Sequence, residues 1–173
     1  AIVLRPDFAG AHYNLSITLE KLDRLEEAKA SCRQAIVLKG DFAEAHSNLG
    51  VILQKLDKWE ESESAFIKAI ALKAEYAEAY SNLGITLQKL GRLKDAEAAY
   101  RQAIALKPVY SQAHNNLAIA LQGLGRLNDA EASCRQAITL DPRYAEPHFN
   151  LGNTLRGLKR FGQAEHSYRQ AIE

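Results

Sequence analysis

The sequence predicts an all-α protein assembled from repeated helical pairs. Three observations carry that expectation: a period of about 34 residues, apolar residues at helical spacing inside each period, and the lack of any run that alternates as a strand does. Phe8, Phe42, Tyr76, Tyr110 and Tyr144 recur at one constant interval. Asn14, Asn48, Asn82, Asn116 and Asn150 keep the same interval, as do Leu15, Leu49, Leu83, Leu117 and Leu151. Residues 1–4 reappear one interval later as residues 35–38.

Starting a unit at Ala9 divides the chain, read as one array over 1–173, into repeats 9–42, 43–76, 77–110, 111–144 and 145–173, with 1–8 as the tail of an earlier repeat. Both ends cut through a unit, which is expected of a segment from a longer array. Within the second repeat, Leu49, Leu53 and Leu56 mark one amphipathic helix. A break follows at Asp57-Lys58, where the third and fourth repeats have Gly91-Arg92 and Gly125-Arg126, as befits a left-handed residue closing a helix. Ala65, Phe66, Ala69, Ile70 and Leu72 mark the second helix. Glu26, Glu60 and Asp95 sit in its first turn, where the helix dipole favours them. Pro6, Pro108 and Pro142 end it. The cations Arg24, Lys58, Arg92, Arg126 and Arg160 are expected to serve the C-terminal dipole of the first helix.

Composition narrows the function classes. Twenty-two basic residues against 21 acidic ones leave a net charge of +1 among 173 residues. No global positive field draws in nucleic acid. No apolar run approaches the roughly 18–20 residues of a membrane span, so membrane insertion is not expected. Cys32 and Cys134 are too few for a secreted disulfide framework and suit a reducing, cytoplasmic setting. No targeting segment is visible, and the absence of an initiator methionine leads to the expectation of an incomplete N-terminus.

One helical pair cannot bury its stripe alone, whereas stacked pairs share a continuous core. The small columns Ala28/Ser62/Ala96/Ala130/Ala164 and Ala35/Ala69/Ala103/Ala137/Ala171 let helices approach closely. Cys32/Phe66/Tyr100/Cys134/Tyr168 and Ile36/Ile70/Ile104/Ile138/Ile172 fill the space between. With helices about 8–10 Å apart, the column His12, His46, His114, His148 cannot converge on one metal, whose ligands lie within about 2–2.3 Å of it. Cys32 and Cys134, three repeats apart, cannot form a bridge that needs Cα atoms within roughly 7 Å. There is no phosphate-cradling glycine loop, H-E-x-x-H or G-x-S-x-G. The expectation is a protein without catalytic activity, cofactor or metal.

The second repeat reads His46-x2-Leu49-Gly50-x2-Leu53 and then Ser62-x3-Phe66. The third reads Tyr80-x2-Leu83-Gly84-x2-Leu87, Ala96-x3-Tyr100 and Pro108. Over its whole length the chain resembles the tetratricopeptide repeat family. Ser16 and Ala118 depart from the family's glycine, Ser62 from its alanine, and Gly40 and Ala74 from its proline. The resemblance implies a right-handed α-solenoid, or superhelix, of helix–turn–helix repeats whose first helices line a concave groove.

On a helical wheel for the second repeat, His46, Leu49, Gly50 and Leu53 share the core side. Glu44, Ser47, Asn48, Val51, Gln54 and Lys55 lie opposite. The apolar stripe Ile17, Val51, Ile85, Ile119 runs up that opposite face until Asn153 interrupts it, and such a stripe calls for a cover. Beside it stands the ladder Asn14, Asn48, Asn82, Asn116, Asn150. A primary amide both donates and accepts, so it can pair with any peptide group. Rungs about 10 Å apart match about three residues of extended chain at ~3.3 Å each. In this the array is similar to the tetratricopeptide region of O-linked N-acetylglucosamine transferases, which hold extended polypeptide on an asparagine ladder. Gln54, Gln88 and Gln122 flank the same face. Tyr13, Ser47, Ser81, Asn115 and Phe149 replace the basic and amide clamp of co-chaperone repeats, which makes that role unexpected.

The function expected from the sequence is a protein–protein interaction scaffold binding an extended peptide or a partner helix in the groove. Two other readings stand beside it. One is a substrate-recruiting arm of a larger glycosyltransferase-type enzyme. The other is a self-assembling segment that associates end to end through Tyr168 and Ile172.

Overall fold

The computed structural model describes residues 7–172, so the expectations for residues 1–6, Pro6 included, and for Glu173 lie outside the described residues. Ten helices and no strand occur among them. They are α1 (Ala9–Lys21), α2 (Leu25–Leu38), α3 (Ala43–Lys55), α4 (Trp59–Leu72), α5 (Ala77–Lys89), α6 (Leu93–Leu106), α7 (Ser111–Gly123), α8 (Leu127–Leu140), α9 (Ala145–Gly157) and α10 (Phe161–Ile172). This is the all-α solenoid fold of helix–turn–helix repeats. The chain divides into two compact units, Ala1–Leu90 and Gly91–Glu173. In the first, α1 packs against α2 and α3 against α4, while α1, α3 and α5 also touch in succession. In the second, α7 packs against α8 and α9 against α10, with α6 against α7, α8 against α9 and α7 touching α9.

The turns have a common physical basis. Asp23, Asp57, Gly91, Gly125 and Lys159 all have positive φ, between 55° and 76°. Glycine takes this conformation without steric cost, and a short polar side chain such as aspartate tolerates it. α6 and α8 stop two residues before Pro108 and Pro142. Lysines at three helix exits lie over the next aromatic ring: Lys39 on Phe42 at 5.0 Å, Lys73 on Tyr76 at 4.8 Å and Lys107 on Tyr110 at 4.7 Å.

The turn cations differ from expectation. Arg24, Lys58, Arg92 and Arg126 are the N-cap residues of α2, α4, α6 and α8. A bare cation there opposes the helix dipole. A carboxylate three residues on answers it in three cases: Glu27 2.6 Å from Arg24, Asp95 2.8 Å from Arg92 and Asp129 2.6 Å from Arg126.

Ser47 is a second difference. The single-helix wheel put it on the open face, yet it is buried, as are Ser81 and Asn115 at the same repeat position. The cause is the packing of successive first helices, which a wheel drawn for one helix omits.

Inside the first, second, fourth and fifth repeats the core turns on one pair of facing positions, one on each helix. A Cβ on Gly50 would stand 2.7 Å from the ring of Phe66, and one on Gly152 would stand 2.5 Å from Tyr168. Those distances admit no side chain. Where the second helix carries a cysteine instead, the first helix carries a side chain: Ser16 opposite Cys32, and Ala118 opposite Cys134, all four fully buried. The family glycine is therefore given up only where the aromatic is. Ser62, the departure from alanine, is buried and its hydroxyl donates to the carbonyl of Gly50 at 2.9 Å.

Gly50→Ala should cost about 1–3 kcal/mol through overpacking. Phe66→Cys should cost a comparable amount by opening a cavity. Chemical denaturation of the double variant should show less than the summed loss, with a coupling on the order of 1 kcal/mol. Strict additivity would disprove the pairing.

Candidate functional site

The asparagine ladder separates into amides that hold the repeats together and amides that do not. In the first unit, Asn48 Nδ2 donates to Ser16 Oγ at 2.9 Å, tying α3 to α1. The residue at the place of Ser16 one repeat later is Gly50, which offers no side-chain acceptor. The side-chain amide of Asn82 accordingly makes no hydrogen bond among the described residues, and Asn82 is half-buried. Asn14 is exposed and likewise without a side-chain partner among them.

In the second unit, Asn150 is buried, and its Nδ2 donates to Asn115 Oδ1 at 2.8 Å, joining α9 to α7. Ala118 stands where Ser16 does in the first repeat, so the amide reaches a different acceptor. Asn116 is half-buried, with no side-chain hydrogen bond among the described residues.

Two of the flanking glutamines face a neighbouring helix. Gln54 Nε2 donates to the carbonyl of Asn82 and to Thr86 Oγ1, both at 2.9 Å. Gln122 Nε2 does the same to the carbonyl of Asn150 at 2.8 Å and to Thr154 Oγ1 at 2.6 Å. Thr86 and Thr154 are fully buried. The recurrence of one glutamine–threonine spacing, Gln54 with Thr86 and Gln122 with Thr154, was the sequence signal for this clasp. Gln88 is half-buried and has a partner.

Ile17, Val51, Ile85 and Ile119 are all half-buried. Val51 packs on the core cluster around Phe66 and Ala69, so part of the stripe is covered by its own repeat. Asn153, which ends the stripe, accepts a hydrogen bond from Tyr168 Oη at 2.9 Å. Near the stripe in the first unit, Lys55 pairs with Glu20 at 2.6 Å, and Lys89 lies 5.8 Å from the ring of Trp59. Phe149 stands 5.9 Å from Tyr168, and Ile172 is 85% exposed.

The histidines hold the loops ahead of the first helices. Nε2 of His46 lies 3.1 Å from the carbonyl of Gly40, that of His114 3.3 Å from Pro108, and that of His148 3.2 Å from Pro142. Both thiols are free and buried. Burial pushes Cys32 up to about 11 and Cys134 up to about 12, which keeps them protonated and unreactive. No group of three or more metal-ligating side chains comes together among the described residues. Nor is any described helix long and apolar enough to cross a membrane.

Comparison with known proteins places this arrangement. Family models described as tetratricopeptide repeat match residues 41–108, residues 81–145, and residues 9–42 with 145–173. The chain belongs to the tetratricopeptide repeat family. No curated protein matches it. Among solved structures it is similar to YrrB, described as a tetratricopeptide repeat protein with an unusual peptide-binding site. That match has 24% identity and a TM-score of 0.79, covering 99% of this chain and 89% of that one. It is also similar to MamA from Desulfovibrio magneticus RS-1, at 21% identity and a TM-score of 0.86, over 95% of this chain and 93% of that one. A third is TTC0263, a tetratricopeptide repeat protein of Thermus thermophilus, at 22% identity and a TM-score of 0.76, over 95% and 90% of the two chains.

In this tetratricopeptide repeat chain, burial holds the His114 imidazole below its ordinary range, against the opposing pull of the Pro108 carbonyl. The unfolded chain therefore binds that proton more readily than the folded one. Stability present at neutral pH is lost as the pH falls through the depressed folded value. Lowering the pH from about 7.5 to about 5.5 should reduce the Tm, and His114→Gln should shrink that reduction. Thermal melts followed by circular dichroism measure both, and an unchanged reduction would assign the loss to other groups.

Proposed function

We propose that the chain binds a partner polypeptide in extended conformation on the face of its first helices. On this reading the partner's peptide groups pair with asparagine amides, and its side chains lie on the β-branched stripe. The observation that carries the proposal is Asn82: a half-buried primary amide, one turn from Ile85 on α5, with no side-chain hydrogen bond among the described residues. A primary amide whose donor and acceptor are unused within the fold has no internal hydrogen bond to give up on engaging a partner. Asn116 beside Ile119 offers the same combination in the second unit. Gln54, Gln122 and Asn150 contribute by fixing the helices that carry those amides, and Asn48 by tying α3 to α1. They are positioning residues rather than contacts.

Support also comes from YrrB, a fold relative described by its peptide-binding site. The protonated, buried thiols serve structure, and His46, His114 and His148 tether the loops ahead of the first helices.

Affinity capture with the whole chain supplies the partner, and calorimetric titration tests the contact. Asn82→Ala combined with Asn116→Ala should weaken binding by about 5- to 100-fold, from one net hydrogen bond of roughly 1 kcal/mol at each site. Helicity and Tm should stay the same, since neither amide is used within the fold. Undiminished affinity would remove the amides from the mechanism.

A further inference from the structure

The second unit carries a recurrent cavity on a different face from the asparagines, and its two copies differ in charge. The earlier copy lies among α6, α7 and α8, with a floor of Ile104, Leu117 and Leu121. The later copy lies among α8, α9 and α10, with a floor of Ile138, Leu151 and Leu155 and a volume of about 430 Å³. Each floor residue of the later cavity is one full repeat beyond its counterpart, so the two are the same site in successive repeats.

Their rims do not match. At the earlier cavity, Arg101 and Arg126 share Glu97, at 2.5 and 2.6 Å, and Arg126 also holds Asp129 at 2.6 Å. Two guanidiniums there meet two carboxylates. At the later cavity, Arg135 of the lining shares Glu131 with Arg160, at 2.8 and 2.5 Å, and neither Glu131 nor Arg160 lines the cavity itself. The residue at the place of Asp129 is now Gln163, whose Oε1 accepts from Arg160 Nε at 2.6 Å. Two guanidiniums meet one carboxylate. His166 replaces Ala132 on the same rim, is exposed, and faces the cavity together with His148. No carboxylate lines the later cavity among the described residues. The unit as a whole carries eleven lysines and arginines against eight aspartates and glutamates.

We propose that the later cavity is a docking site for an acidic peptide segment that presents one large apolar side chain. The apolar side chain would occupy the floor over Ile138 and Leu151, within the volume range of ordinary ligand pockets. A flanking carboxylate would meet Arg135 and the imidazole rim, supplying the negative charge that Glu131 alone leaves unmatched. Asp129 and Ala132 deny the earlier cavity this role. The site is independent of the asparagine face, so a partner could engage either without the other.

The probe is a short fluorescent peptide with one phenylalanine flanked on both sides by glutamates, titrated against the whole chain. One saturable site is expected, together with no binding of the same peptide carrying lysines in place of the glutamates. Arg135→Glu and His166→Glu should each weaken binding at least about tenfold while the circular dichroism spectrum stays unchanged. His166 makes no hydrogen bond or ion pair among the described residues, so its replacement tests the site without disturbing a fold contact. Asp129→Gln with Ala132→His should raise the stoichiometry from one to two. No saturable binding would overturn the proposal, as would binding that survives both substitutions. Loss of binding in the Asn82→Ala, Asn116→Ala variant would overturn it too, by moving the peptide to the first-helix face.

Discussion

The first, second, fourth and fifth repeats are each organised around the approach of their two helices at a single pair of residues. An aromatic ring on the second helix leaves no room for a Cβ on the first, as Gly50 against Phe66 and Gly152 against Tyr168 show. A cysteine there leaves room, and Ser16 and Ala118 use it. Interiors packed at crystal-like density leave few other solutions. The consequence reaches the next repeat. Ser16 gives Asn48 an acceptor, whereas Gly50 gives Asn82 none. Within the first unit, a packing choice in the core thus sets whether the amide of the next repeat finds a serine acceptor; in the second unit Asn150, which follows Ala118 at the same spacing, bonds Asn115 instead.

Much of this architecture is written in the sequence. The repeat register, the paired helices, the left-handed turns at Asp57, Gly91 and Gly125 and the buried columns all follow from the spacing of apolar and small residues. These are local properties, set by helical period and by backbone sterics at a turn. The pairing of Ser16 with Cys32 and of Ala118 with Cys134 was present too, as two departures from the family pattern that fall in the same repeats. Its meaning appears only when the two helices are set side by side.

What escaped sequence reasoning depended on neighbouring repeats. A wheel for one helix puts Ser47 and Gln54 on the open face, because it contains no second first-helix to cover them. The structure buries Ser47 and ties Gln54 to Asn82 and Thr86. Arg24 and Arg126 were read against the helix they follow, yet they cap the one they precede and reach carboxylates within it. The charge difference between the two cavities of the second unit was hidden for a related reason. It requires comparing Asp129 with Gln163 and Ala132 with His166, which matter only once their helices share a rim.

Side-chain amide exchange, measured by nuclear magnetic resonance on the free protein, tests the division of the amides most directly. Asn48 and Asn150 should exchange slowly with water, since their Nδ2 groups donate within the fold, while Asn82 and Asn116 exchange at rates close to those of a solvated amide. In a Gly50→Ser, Phe66→Cys variant, which gives the second repeat the pairing of the first, Asn82 should become protected as Asn48 is. Equal protection of all four amides, or an Asn82 indifferent to that double substitution, would contradict the account.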